Sequence, residues 1–555
     1  MRNRITQSGL TVNAIAGSHV VILGMDLSAA ARAGCLGFAI QREDHIENER
    51  YWMRGMKTFQ ATDPGLGPGG TISSREHPFQ SFQWMDYSAK PGYRYTYTVV
   101  PLYGTPAQLN EGDEVSVDIL TETETGAVHS AWFNRGAVAS QEYARRFQNR
   151  PPDEVPNQAA YKWLSRGLLE ALLTFIGRAS DSSWSIHGAV YEFEWSQVLL
   201  ALKAAARAGA KVRIVYDGIP GGTGPARKNE NAVKLAKIKG LSTKRTQGKL
   251  MHNKFFVLSK DGQPLAVWTG STNITENGLF GHSNLGHLIE DSTVAQAYLD
   301  YWHRLKRDAP VPDMRSWIGS RNPAPPEPWN QSTTAVFSPR SGLGVLDWYA
   351  AIANSAQQAL FMTFAFGMHD KFQRVYEQND GILRFALMEK EGHAAGLEQA
   401  KKDIRRIRRL PNIVVAVGNT IAVNSFDRWL KERSKLSHEV NVRFVHTKYA
   451  LIDPLGDHPV VVTGSANFSP ASTNTNDENM IVIRDDKRVA DIYLGEFMRL
   501  YSHYAFREAV KIAKERGEDP DDWQPNFLIA DDTWQQDYFT MGHQRFFRRC
   551  YFAGA

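Results

Sequence analysis

Two blocks of this 555-residue chain repeat each other without a gap. The first runs His252-Asn253-Lys254-Phe255-Phe256-Val257-Leu258 and ends in Trp268-Thr269-Gly270-Ser271-Thr272-Asn273. The second runs His446-Thr447-Lys448-Tyr449-Ala450-Leu451-Ile452 and ends in Val462-Thr463-Gly464-Ser465-Ala466-Asn467. His to Asn spans 21 residues in both, since 273 − 252 = 467 − 446. Such a duplication calls for two copies of one structural unit. In each block an apolar run, a turn carrying Gly262 or Gly456, and a second apolar run describe a hairpin. Residues i and i+2 of a strand share a face, so His252 and Lys254 point the same way, as do His446 and Lys448. The His, Lys and Asn of each block are therefore expected at one end of one sheet.

Strands and helices alternate around both blocks. Trp184 to Tyr191 reads as a strand, Ser196 to Arg207 as a helix with Val198, Leu199, Leu202 and Ala206 on one stripe, and Lys211 to Tyr216 as the next strand. That is a βαβ unit with parallel strands. Ala359 to Phe366 matches the first strand in position and character. Before them, residues 10 to about 145 hold short apolar runs separated by turns. The stretch Pro91-Gly92-Tyr93-Arg94-Tyr95-Thr96-Tyr97-Thr98-Val99 resembles a strand of fibronectin type III domains, which implies a β-sandwich there. Asn149 to Pro156 reads as a linker. So does Ala309 to Asn330, with prolines at 310, 312, 323, 325, 326 and 328. The division expected is a β-rich domain over 1–148, repeat domains over 157–308 and 331–500, and a helical C-terminal extension over 501–555 packing on the body. At about 150 residues per domain the length suits this count.

The paired blocks resemble the double motif of the phospholipase D superfamily, whose pattern is His-x-Lys, four residues, Asp, then Gly-Ser-x-Asn. The second block matches in full, with Asp453 in place. The first has Ser259 at the Asp position and Asp261 two residues beyond. The resemblance covers residues 160 to 500 and implies an α/β fold: two mixed-sheet αβα domains related by a pseudo-twofold, sharing one site, behind an N-terminal β-sandwich-like domain. It implies a phosphodiesterase in which one imidazole attacks phosphorus and the other acts as general acid, then base. By family habit His252 is the nucleophile and His446 the acid. Lys254 and Lys448 neutralise phosphate charge, Asn273 and Asn467 add hydrogen bonds, and Ser271 and Ser465 bind the phosphate. Glu478 falls where the family holds a carboxylate that orients a histidine; extending the alignment puts Asn284 at the matching place. Asp453 reads as a structural hydrogen-bond partner. No metal or other cofactor is expected, because two lysines and an imidazolium supply the positive charge, and no His-Glu-x-x-His pattern is present.

The net charge is 64 − 59 = +5, which leans towards anionic partners. The Gly-Ser-x-Asn ends and the run Lys401-Lys402-Asp403-Ile404-Arg405-Arg406-Ile407-Arg408-Arg409 tilt the reading towards a nuclease acting on DNA or RNA. A phospholipase-type hydrolase or transferase acting on phospholipid is the alternative, and a catalytically inactive nucleic-acid-binding protein the second. The N-terminal module either recognises a protein partner or substrate, or shapes the cleft. His187, His282 and His287 read as structural. Two cysteines, Cys35 and Cys550, rule out a disulfide-built scaffold. With no run of 18 apolar residues and no secretory pattern, a cytoplasmic protein is expected.

Overall fold

The computed structural model describes residues 1–67, 70–136, 140–220, 224–325, 331–392, 396–418, 445–515 and 527–555. Two seven-stranded mixed sheets dominate it. The first has the strand order His129–Phe133, Leu285–Ile289, Gln263–Gly270, Lys254–Lys260, Trp184–Val190, Lys211–Asp217, Ser242–Arg245. The second has the order Thr333–Ser338, Glu478–Arg484, Val460–Gly464, Tyr449–Ile452, Ala359–Phe364, Leu383–Met388, Ile413–Val417. Both are antiparallel over the first five strands and parallel over the last three.

The repeat hairpins lie at the centre of these sheets, not on a half-exposed face. Lys254–Lys260 is buried except at its last residue, and Tyr449–Ile452 throughout. Helices cover both sides, so these strands read as continuous apolar runs rather than alternating ones. The helix Ser196–Arg207 crosses from Trp184–Val190 to the parallel strand Lys211–Asp217, the βαβ unit expected. The helices Ser292–Lys306 and Lys487–Glu515 follow the last strand of each repeat. They place Tyr298 beside Thr269 and Tyr493 beside Thr463, at matching positions. Val311–Arg321 is helical, although its proline density reads as a linker. Pro310 and Pro312 sit before and within the first turn, where no intrahelical N–H is lost. Pro326 and Pro328 lie outside the described residues.

Among the described residues the N-terminal region holds a two-stranded sheet of Arg54–Gly55 and Ile72–Ser73 and two larger antiparallel sheets. One pairs Arg2–Gln7, Leu10–Ala16, Val21–Leu27 and Gln83–Asp86 in that order. The other orders Gln108–Glu111, Arg94–Thr105, Gly37–Asp44 and Glu49–Trp52, with Val115–Leu120 also on Arg94–Thr105. The tyrosine-rich stretch supplies the long central strand: Tyr95, Tyr97 and Val99 point into the core. His129–Phe133, which the sequence reading assigns to this module, is the edge strand of the first repeat sheet.

The last segment closes that core. Trp534 stacks on Phe82 at 5.2 Å between ring centroids, meets Phe38 edge-on at 6.2 Å, and donates its indole N–H to Cys35 O at 2.8 Å. The final helix Gln544–Ala553 runs against Val21–Leu27. Gly24 permits this contact, since a Cβ there would lie 2.1 Å from Phe552 O. Trp534→Ala removes a large buried ring and one hydrogen bond from the module. Its unfolding, followed by chemical denaturation, is expected to be easier by about 3–5 kcal/mol. An unchanged midpoint contradicts this packing.

Candidate active site

The motif histidines meet where the two halves exchange backbone. His252 N donates to Asp477 O at 2.9 Å, and Asp477 N donates to Leu250 O at 2.8 Å. His446 N donates to Ser283 O at 3.3 Å on the other side of the seam. The preceding residues are pinned by carboxylates at the ends of parallel strands. Asp217 Oδ2 accepts from Met251 N at 2.9 Å, and Glu389 Oε2 accepts from Val445 N at 2.8 Å. Arg245, wholly buried, binds Asp477 at 2.9 Å and Asp308 at 3.0 Å, which fixes the loop leading into the first motif.

Each ring is oriented by the opposite half. His252 Nδ1 lies 2.8 Å from Glu478 Oε2, and His446 Nδ1 lies 2.8 Å from Asn284 Oδ1. Both partner oxygens are acceptors, so Nδ1 carries the proton in each ring and Nε2 is left for chemistry. The amide of Asn284 has one orientation that satisfies its neighbours: Nδ2 donates to Gly278 O at 2.9 Å, and Oδ1 accepts from Ser271 Oγ at 2.8 Å. The two imidazoles are buried, with centroids 6.5 Å apart and planes at 77°. One ring therefore has a carboxylate behind it and the other a neutral amide.

The serines do a different job from the one the sequence suggests. Ser465 Oγ donates to Glu478 Oε2 at 2.8 Å, as Ser271 donates to Asn284. A hydroxyl has one proton, and here it is committed to the orienting group rather than to a phosphate. Lys254 Nζ donates to His252 O at 2.7 Å and Lys448 Nζ to His446 O at 2.5 Å, so both buried ammonium groups lie against their motif. Asn273 Nδ2 donates to the buried Glu192 at 2.7 Å, while Asn467 is half-buried and donates its backbone N–H to Ser472 Oγ at 3.2 Å. Asp453 accepts from the backbone N–H groups of Gln357, Gln358 and Ala359 at 2.8, 2.7 and 2.9 Å, which makes it a strand-end clamp. Ser259 instead stays in the sheet opposite Ser185, and its strand runs on to Lys260.

Other histidines divide. His282 packs 5.6 Å from the His446 ring. His187 lies against Trp302, and burial brings its pKa down to about 3. His287 bridges Tyr493 and His129 in a buried chain. The basic run forms the helix Leu397–Ile407 with Ile404 and Ile407 inward. That helix runs from the site end of the sheet towards its far end, and Lys401, Arg406 and Arg408 pair with Glu398, Glu377 and Glu508. Lys402, Arg405, Arg406 and Arg409 are exposed to solvent. Among the described residues, no three His, Cys, Asp or Glu side chains converge as a metal site requires.

Asp217 and Glu389 escape sequence reading because their distances to the motif differ: 252 − 217 = 35 and 446 − 389 = 57. The signal available was a carboxylate at the C-terminal end of a parallel strand, where α/β sites are built. Burial raises the Asp217 carboxyl from 3.8 to about 6. The folded chain thus binds this proton more tightly than the unfolded chain. The stability gained is complete below about pH 4 and lost as pH rises through 6. Asp217→Asn keeps an acceptor for Met251 N–H and carries no charge. It is expected to be more stable than wild type at pH 8, by on the order of 2–3 kcal/mol, and equally stable at pH 4. Denaturation curves at the two pH values check this.

Parts of this chain are similar to known proteins. A family model described as "Cardiolipin synthase, PLD-like domain" matches residues 172–306 and 408–501, which contain both motif blocks, Asn284 and Glu478. Mitochondrial cardiolipin hydrolase of Xenopus tropicalis is 39% identical over 67 residues, 12% of this chain and 30% of that relative's length. Phosphatidylserine synthase of Haemophilus influenzae is 11% identical with a TM-score of 0.40, over 63% of this chain and 92% of that one. Nuc, a phospholipase D family member of Salmonella typhimurium, is 17% identical with a TM-score of 0.23, over 31% of this chain and 95% of that one. With two copies of the motif brought to one seam, and the family model covering both, residues 172–306 and 408–501 are the part of this chain that carries the PLD-like domain of the phospholipase D superfamily.

Proposed function

We propose that this protein hydrolyses phosphodiester bonds of nucleic acid without a metal ion, through a phosphohistidine on His252. The observation that carries the assignment is the unequal backing of the two rings: Glu478 behind His252, Asn284 behind His446. A carboxylate on Nδ1–H raises the basicity of Nε2 and stabilises the positive ring formed when it bonds to phosphorus. His446, backed by an amide, gives its Nε2 proton to the leaving oxygen more readily. In the first step Nε2 of His252 attacks phosphorus in line, the P–O bond to the leaving group breaks, and His446 protonates that oxygen. In the second, neutral His446 takes a proton from water, whose oxygen displaces His252 from phosphorus. Lys254, Lys448, Asn273 and Asn467 hold the non-bridging oxygens, where charge builds up.

The choice of nucleic acid rests on the carboxyl end of the second sheet. Half-buried Lys390 follows Glu389 and lies 5.3 Å over the ring of half-buried Phe366. Exposed Lys249 stands three residues before His252. A cation with an adjoining aromatic face suits a phosphate backbone bearing stackable bases. A phospholipid substrate is the second reading, favoured by the cardiolipin hydrolase relative and by the wording of the family model. The catalytic arrangement serves either.

The test is hydrolysis in EDTA of single-stranded DNA, duplex DNA, RNA and phospholipid vesicles. Wild type is expected to cleave nucleic acid in chelator, and His446→Ala to lose about 10³-fold in rate. Phe366→Ala is expected to raise KM for single strands with little change in kcat. Cleavage of lipid alone transfers the assignment to the second reading.

A further inference from the structure

Five segments meet behind the first repeat sheet, and they bring together more positive than negative charge. Arg166 and Arg499 share the carboxylate of Glu496, at 2.7 and 2.8 Å. All three groups are buried. Arg135 stands beside them as a third guanidinium and makes no ion pair among the described residues. Its guanidinium lies 4.9 Å over the ring of Trp163, and that ring also meets Arg146, which Glu142 already pairs. At the rim, His19 Nε2 meets Glu124 at 2.8 Å. Burial pushes the His19 ring down and lifts Glu124 to about 7. Three guanidinium groups thus face the carboxylate of Glu496, with Glu124 at the rim. The cost shows at Arg135, which burial and the neighbouring Arg166 and Arg499 bring down to about 9.

An uncompensated cation in a low-dielectric junction is expensive unless an anion joins it. A guanidinium fork matches an oxyanion of the phosphate type. We propose that Arg135, backed by Arg166 and Arg499, forms a second anion site, separate from the paired histidines, that takes a small phosphate-type oxyanion where the N-terminal module meets the first repeat. His19 comes from the module, Glu124 from the segment after it, Arg135 from the end of the edge strand, and Arg499 from the helix Lys487–Glu515. An anion there ties these segments together.

The test is thermal unfolding of the full chain in inorganic phosphate against sodium chloride at equal ionic strength. It is run in a His446→Asn background, so that the difference made by Arg135 is read apart from phosphate at the catalytic pair. The midpoint is expected to rise by about 2 °C in phosphate. Adding Arg146→Gln leaves that rise in place, and adding Arg135→Gln abolishes it. Without phosphate, Arg135→Gln unfolds no earlier than its parent, because an unpaired charge has gone. An equal rise with and without Arg135, or no rise in the parent, overturns the proposal. Should Arg135→Gln not fold, Arg135→Lys decides: a rise cut by half or more supports the site, and an unchanged rise overturns it.

Discussion

His252 is held by a carboxylate from the other half of the molecule. Glu478 lies 226 positions along the chain, and only the docking of the second sheet against the first brings it within 2.8 Å of the ring. The same holds in reverse for Asn284 and His446, at 2.8 Å. Neither half contains a complete site, because each supplies a histidine and the group that orients the other's histidine. The buried Arg245–Asp477 pair and the backbone bonds from His252 to Asp477 and from His446 to Ser283 hold the seam in register. Since Asp477 adjoins Glu478 and Ser283 adjoins Asn284, a slip at the seam displaces both orienting groups at once.

A duplicated scaffold is nearly symmetric, whereas in-line displacement needs two different partners. The two halves differ there by single substitutions at equivalent places rather than by a change of fold. Glu478 and Asn284 occupy matching positions, and so do the serines that hold them. One ring is backed by a carboxylate and the other by an amide. The acids behind the motif follow the same plan, with Asp217 and Glu389 each fixing the residue before a histidine although their side chains differ in length.

Much of this could be read in the sequence, for physical reasons. Identical spacing between His, Lys, Gly, Ser and Asn carries the duplication, since a hairpin of fixed length tolerates no insertion. The βαβ unit around Ser196–Arg207 was legible because helical and strand periods differ. Three features were not. The partner oxygens of Ser271 and Ser465 come from the strand that follows, so nothing local marks their hydroxyls as engaged. Val311–Arg321 is a helix because its prolines fall in the first turn, a matter of position rather than count. Trp534 belongs to a core more than 400 residues away in sequence, beside Phe82, and no periodicity reports such a contact.

In the proposed mechanism one ring is the nucleophile because of what stands behind it. This is tested most directly by mixing the protein with a phosphodiester substrate, quenching during turnover under conditions that preserve phosphoramidates, and locating the adduct by peptide mass spectrometry. A phosphoryl adduct is expected on His252, absent in His252→Ala and accumulating in His446→Asn, where the water-activating ring is lost. An adduct on His446 instead would contradict the assignment made from Glu478 and Asn284.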